Sequence, residues 1–284
     1  MHNRPGPTTR VDVRMFDDDR ESASRDAVAT EEPLEIRITA GGLTSTVAIT
    51  MRTPGADFEL AAGFLHSEGV LPPGQPPSRI AYCDDPTVAE QRYNIVTVAL
   101  PQRSLPVLPG LDRHFAMTSA CGVCGKASLD ALRLRGVDPL PQDGPLIELG
   151  RLYQLPDTLR VAQGVFSATG GLHAAGLFEP DATPVCVRED VGRHNAVDKA
   201  IGWALLNGEL PLTNHVLMVS GRSSFEIVQK AVVARIPVVC AVSAPSSLAI
   251  ALADEFGVTL IGFLRGQRCN VYAGAARIVQ PVQT

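Results

Sequence analysis

Hydrophobic and polar positions alternate with period two from residue 34 to residue 51. Leu34, Ile36 and Ile38 point one way and Glu35 and Arg37 the other, as in a half-buried strand. Gly41-Gly42 reads as a hairpin turn, with 44–51 as the partner strand. The period then lengthens. Phe58, Ala61, Ala62 and Leu65 fall on one face of a helix over 57–68, which Gly69 ends. Segments 80–83 and 93–100 are strand-like again, so residues 31–118 are expected to form a small α+β unit. Residues 1–30 hold few large apolar residues beyond Met15 and Phe16 and carry Asp17-Asp18-Asp19. They are expected to be a mobile arm.

A second pattern begins after a Pro- and Gly-rich stretch at 136–150, which closes a connecting segment over 119–150. A helix is predicted over 156–167, with Pro156 in its first turn and Gly170-Gly171 beyond its end. Strands at 173–178, 184–188, 215–219, 238–242 and 259–264 then alternate with helices at 194–207, 224–235 and 246–256. The continuous apolar run 238–242 marks a strand buried on both faces, with Cys240 as core packing. This predicts an α/β domain over 151–284, with helices on both faces of a largely parallel sheet. The element order resembles the cytidine deaminase fold. Deaminase chemistry needs His-x-Glu and Pro-Cys-x-x-Cys, whereas here His173 precedes Ala174-Ala175 and Ala120 stands where the proline would be. Those departures argue against that activity.

Length and charge narrow the class. The chain has 284 residues, 45% of them hydrophobic, enough for two domains or one large domain with an appendage. A net charge of -5 argues against non-specific binding to nucleic acid or acidic membrane. No apolar run approaches a membrane span, and the start of the chain lacks a signal peptide's apolar core. The 6 cysteines have no regular framework, which fits a reducing cytoplasm.

The chemistry concentrates in Ser119-Ala120-Cys121-Gly122-Val123-Cys124-Gly125-Lys126. A Gly-rich loop entering a helix at 127–134, with Lys126 beside it, favours thiolate over thiol. Three other readings compete. Half of a structural zinc site needs a second pair, and Cys83, Cys186, Cys240 and Cys269 are isolated. A thioredoxin-like dithiol usually has bulky residues between its cysteines and follows a strand in a βαβ setting. An inert buried pair sits poorly with the glycines and the lysine.

Ligands of an open α/β sheet lie at the carboxyl ends of its strands. Three segments there carry unusual residues. They are 188–195, with Arg193 and His194; 220–224, with Ser220, Gly221 and Arg222; and Phe263-Leu264-Arg265-Gly266-Gln267-Arg268 after the last predicted strand. Arg193, Arg222, Arg265 and Arg268 in an acidic protein point to a phosphate-bearing ligand. Singly, each could equally be a surface residue or pair with Asp190, Glu226 or Asp254. His173, after Gly170-Gly171, is a further candidate or a structural histidine. None of these segments is a Walker A loop or a dinucleotide fingerprint.

Longer stretches now carry a resemblance. They are Met51-Arg52-Thr53-Pro54-Gly55, Gly63-Phe64-Leu65 with Ser67-Glu68-Gly69, Cys121 to Gly125, Thr169 to His173, Glu189 to Lys199, Val219 to Arg222 and Ala244 to Leu248. The sequence resembles the formate dehydrogenase accessory sulfurtransferases, the FdhD family, from about Glu32 to Tyr272. The resemblance implies a deaminase-like fold and a cytoplasmic sulfurtransferase. Persulfide sulfur would pass from a cysteine desulfurase to the molybdenum (or tungsten) bis-pterin guanine dinucleotide cofactor, activating the formate dehydrogenase catalytic subunit. That cofactor would be a bound substrate, with no catalytic metal of the protein's own. Cys121 maps to the persulfide carrier, Cys124 to the second cysteine, and Phe263 to Arg268 to the cofactor-binding segment. A homodimer is compatible with the family. A cofactor chaperone with merely structural cysteines, and a zinc-stabilised binding module, are the alternatives.

Overall fold

Residues 8–29, expected to be a mobile arm, instead form an antiparallel hairpin, β1 (Thr8–Asp17) and β2 (Arg20–Ala29), paired from Thr8↔Ala29 to Asp17↔Arg20. The computed structural model describes residues 4–102, 104–106 and 136–280. Cross-strand pairs Arg14–Glu21 at 2.6 Å and Arg25–Asp12 at 3.1 Å lace the hairpin. Val11 and Val13 on β1 and Ala27 and Ala29 on β2 give it a half-buried alternation, and the charges around them hide that signal.

The first unit follows its pattern. β3 (Glu32–Ala40) and β4 (Leu43–Arg52) pair antiparallel, and β5 (Arg79–Tyr82) and β6 (Ile95–Ala99) complete a sheet of order β4-β3-β6-β5. Residues 93–94 end a 3-10 turn rather than starting the strand. Helix α1 (Asp57–Ser67) packs Leu60, Ala61, Phe64 and Leu65 with Leu34, Ile36, Ile38, Val96 and Val98 in one core.

The second unit begins with β7 (Ile147–Glu148) and the short α2 (Leu149–Leu152). The helix predicted over 156–167 is two, α3 (Leu155–Ala162) and α4 (Gly164–Thr169). The break falls at Gln163, whose φ of -81° and ψ of 79° are not helical. A carboxylate stabilises the second start: Glu189 accepts from Val165 N at 3.0 Å and Phe166 N at 2.7 Å. Then follow β8 (His173–Phe178), β9 (Pro184–Asp190), α5 (Arg193–Leu206), β10 (Val216–Val219), α6 (Phe225–Val233), β11 (Val238–Ala241), α7 (Ser247–Glu255), β12 (Thr259–Arg265), β13 (Arg268–Ala273) and β14 (Ile278–Val279).

The main sheet has the order β13-β12-β11-β10-β8-β9. Only β10–β11 and β11–β12 are parallel; β8–β10, β8–β9 and β12–β13 are antiparallel. The sheet is therefore mixed, not largely parallel. Its outer strands join their neighbours by short turns instead of helical crossovers. Three layers do form. Helices α5, α6 and α7 share one core with Leu177, Leu217, Val239 and Leu260. On the opposite face Leu152, Leu155 and Leu159 pack with Phe178, Met218, Cys240 and Ile261. Among the described residues, no helix is long and apolar enough to cross a membrane.

The two units meet along α1 and α5. A Cβ on Gly63 would lie 2.8 Å from Gly202 N, and one on Gly202 would lie 2.8 Å from Gly63 N. Only glycine at both positions lets the backbones touch. Buried charges flank this crossing. Lys230 Nζ on α6 donates to both oxygens of Asp198 on α5, at 2.8 and 2.9 Å, and Ser67 Oγ on α1 donates to the same carboxylate at 3.0 Å. Arg188 on β9 makes a bidentate pair with Glu59 on α1. Arg52, with no exposed surface, binds Asp57, the Tyr93 carbonyl and Asn94.

Candidate functional site

The carboxyl ends of β10, β11 and β12 lie on one edge of the sheet, and that edge holds a cleft of about 590 Å³. The size suits a small-molecule ligand. One wall is α3, Gln163 and α4; the other is Gly170 to His173 with Ser220 and Val242. Ser220 is not a free hydroxyl: its Oγ accepts from Ala174 N at 2.9 Å, and its N–H donates to Ala174 O at 3.0 Å. This fastens the loop after β10 to β8. Gly221 leaves room for His173, whose Nδ1 would stand 3.5 Å from a Cβ there. Gln163 is 3% exposed and lines the cleft, and its Nε2 has no hydrogen-bond partner. The Arg160 guanidinium lies 4.0 Å from the Phe166 ring centroid on the same wall.

The loops after the parallel strands are joined to one another. Ser243 N donates to Gly221 O at 3.3 Å, and Ser246 N to Ser223 O at 3.1 Å. Residues 263–268 are not a loop after the final strand. They are the end of β12, a tight turn and the start of β13, with Arg265 opposite Arg268. Residues 268–273 alternate weakly as an edge strand. Phe263 sits in the left-handed region at φ 51°, where the β12–β13 register shifts, and Gly266 turns at φ 53°. Phe263 points outward while Leu264 is buried. The hairpin is tied to the neighbouring loop by Phe263 N to Ser243 O at 3.2 Å and Arg265 Nε to Val242 O at 2.9 Å. Arg222, Arg265, Gln267 and Arg268 are exposed.

The remaining candidates stand at the start of α5. His194 Nε2 is 3.0 Å from Ser224 Oγ and 3.7 Å from Glu226 Oε2. Both groups face the same ring nitrogen, so this is not a relay in which a carboxylate orients the far side of the ring. Burial brings His194 down to about 4, with Arg193 and Lys230 adding to the effect and Glu226 opposing it. Its ring is neutral at pH 7. His173 is also lowered, mainly by burial and then by Arg193, while Asp190 opposes. Arg193 Nε is buried without a hydrogen-bond partner, and Arg193 makes no ion pair among the described residues. The surface-pair reading through Asp190 fails, because Asp190 binds Lys199 at 2.7 Å.

One sheet edge therefore gathers Arg193, His194, Ser220, Gly221, Arg222 and the 263–268 hairpin, and of these Ser220 lines the cleft. Cys121 and Cys124 lie outside the described residues. Burial pushes the Cys186 thiol up to about 12 and raises Cys240 as well, so these two are poor nucleophiles. Arg160, Gln163 and Phe166 were missed in the sequence because 156–167 reads as an ordinary helix. The signal available was the Gln163-Gly164 step inside that pattern.

Residues 29–279 match the model of the FdhD/NarQ family. The chain belongs to this family. It is 54% identical over 274 residues to the sulfur carrier protein FdhD of Streptomyces coelicolor, covering 95% of each chain. It is 42% identical over 275 residues to the protein of the same name from Thermoplasma volcanium, covering 96% of this chain and 97% of the relative. A crystal structure described as a formate dehydrogenase accessory protein, from Desulfotalea psychrophila, matches with a TM-score of 0.73 and 23% identity. That match covers 96% of this chain and 99% of the other. The two chains thus share one fold.

Proposed function

We propose that the protein is a sulfurtransferase of formate dehydrogenase maturation. It carries persulfide sulfur from a cysteine desulfurase to the molybdenum (or tungsten) bis-pterin guanine dinucleotide cofactor. The relatives' name, sulfur carrier protein, supports the sulfur half of this reading. The observation that carries the cofactor half is the single sheet edge on which Arg193, Arg222, Arg265 and Arg268 stand. A dinucleotide with two pyrophosphates needs cations from several loops along one edge. The order of layers around the mixed sheet supports a cytidine-deaminase-like description of the second unit. The setting would be the cytoplasm, with the desulfurase and the dehydrogenase catalytic subunit as protein partners.

Cys121 thiolate attacks the terminal sulfur of the donor's persulfide, forming the Cys121 persulfide and releasing the donor's thiolate. Cys124 thiolate then attacks the inner sulfur, expelling hydrosulfide toward the cofactor metal. The resulting Cys121–Cys124 disulfide is reset by a thiol reductant. His194, neutral at pH 7, adds no charge next to the arginines.

Calorimetry with guanosine diphosphate, a fragment of the cofactor, tests the cofactor half. Wild type is expected to bind it, and Arg222→Ala and Arg268→Ala each to weaken it about tenfold. Neither side chain has a hydrogen bond or ion pair among the described residues, so the fold is expected to survive both changes. No binding by wild type, or unchanged binding in both variants, would remove this edge as the nucleotide site.

A further inference from the structure

Asp190 ends β9, has no exposed surface and receives four donors. Oδ1 accepts from Gly192 N at 2.8 Å and Asn195 Nδ2 at 3.0 Å. Oδ2 accepts from Thr53 N at 3.1 Å and pairs with Lys199 Nζ at 2.7 Å. The same partners bind one another. Lys199 Nζ donates to Thr53 O at 2.9 Å and to Glu189 O at 3.1 Å. Asn195 Nδ2 donates to Met51 O at 2.8 Å, and Val191 N donates to Thr53 Oγ1 at 3.2 Å. Residues 51–53 of the first unit are thus bonded to residues 189–199 on both sides of Arg193 and His194. The contacts lie within two of the stretches that carry the family resemblance, yet none of these residues lines the cleft.

Arg193 itself makes no ion pair among the described residues, and its Nε is buried without a hydrogen-bond partner. Its side chain therefore does little to anchor the turn. The backbone on either side of it is held by Asp190. We propose that Asp190 is a positioning residue: by locking the start of α5 to Thr53, it sets Arg193 and His194 at the ligand edge, so that the first unit completes a site built on the second. The proposal rests on the reading of that edge as the nucleotide site. The physical reason is preorganisation. A cation held in place before binding costs less to engage than one that must be ordered at that moment.

The test uses the full chain with Asp190→Asn, Asn195→Ala and Ser67→Ala. Asp190→Asn leaves Lys199 without its counter-charge and could unfold. Asn195→Ala removes the amide that donates to both Asp190 Oδ1 and Met51 O, keeps every charge and suits a helix. Ser67→Ala is the control, because it removes a buried bond between α1 and α5 that does not touch 189–195. Two quantities are read: guanosine diphosphate affinity, and the imidazole titrations of His173 and His194 by NMR. Asn195→Ala, and Asp190→Asn where folded, are expected to weaken binding about tenfold. Asp190→Asn also removes a charge that raises His173, so the titrations are read in Asn195→Ala, where both are expected to shift. Ser67→Ala should lower the melting temperature and leave affinity and titrations unchanged. Folded Asn195→Ala with wild-type affinity and wild-type titrations overturns the proposal. If wild type binds no guanosine diphosphate, the nucleotide reading falls, and the His titrations of Asn195→Ala alone decide whether the Asp190 network positions this turn.

Discussion

Gly63→Ala is expected to destabilise the protein by about 3 kcal/mol or more, even though alanine is the better helix former. In an isolated helix the change would gain about 1 kcal/mol. Here the new methyl would lie 2.8 Å from Gly202 N and 2.7 Å from the Asp198 carbonyl carbon, with the carbonyl oxygen closer still. These neighbours are backbone atoms of α5, so no rotamer change relieves the clash. The helices must part. Parting them weakens the core that Leu60, Ala61 and Leu65 share with Leu205 and stretches the Ser67–Asp198 bond. Gly202→Ala meets the Glu59 backbone in the same way and should cost a similar amount. The double variant should cost less than the sum, because one separation relieves both clashes. Denaturant unfolding measures this, and a rise in midpoint for either single variant would contradict the close crossing.

The second large effect is Lys230→Met, expected to cost about 3–5 kcal/mol. Lys230 is the ammonium partner of Asp198, and both are almost without exposed surface. Removing it strands a carboxylate in the core with only Ser67 beside it. Burial already raises Asp198 despite Lys230's opposing charge, and without Lys230 it must rise further. The sign of the pH dependence follows. The folded variant holds a proton on Asp198 at pH values where the unfolded chain, near 3.8, has released it. Its stability therefore falls as pH rises from the unfolded value through the folded one. Relative to wild type, Lys230→Met should regain stability on acidification from pH 7. Asp198→Leu added to Lys230→Met should recover much of the loss at pH 7, since an apolar pair replaces an ion pair. A variant whose deficit is independent of pH would show that Asp198 is not stranded.

The period-two and helical patterns were enough to read β3, β4, α1 and the alternation from β8 to β12. The failures share a cause. The β1–β2 hairpin and β13 carry little apolar periodicity, because they are exposed or at an edge, and cross-strand pairing holds them. The break at Gln163 depends on Glu189, a residue far along the chain that caps the second helix start. Site residues in the loops after parallel strands were legible because the fold class says where such loops point. The buried polar junction was not. Arg52, Asp190, Asp198, Lys199 and Lys230 look like surface charges one at a time, and only long-range pairing shows that they are core. Several of the stretches that carry the family resemblance prove to hold the two units together, while Gly170 to His173 and Ser220 reach the cleft.

That division suits a carrier. A rigid junction keeps the ligand edge fixed, and the proposed nucleophile, Cys121, belongs to a different stretch of the sequence, beside Gly122. Cys186 and Cys240, their thiols held protonated by burial, cannot compete for sulfur.

The most direct test is the mass of the intact protein after incubation with an active cysteine desulfurase and cysteine, for wild type, Cys121→Ala and Cys124→Ala. The account predicts a gain of one sulfur atom in wild type that reductant removes, no gain in Cys121→Ala, and a retained gain in Cys124→Ala, which cannot expel the sulfur as a disulfide. A gain that persists in Cys121→Ala would put the persulfide on another cysteine and contradict Cys121 as the carrier, and no gain in any variant with an active donor would contradict the persulfide route and leave a protein that only binds and hands on the cofactor.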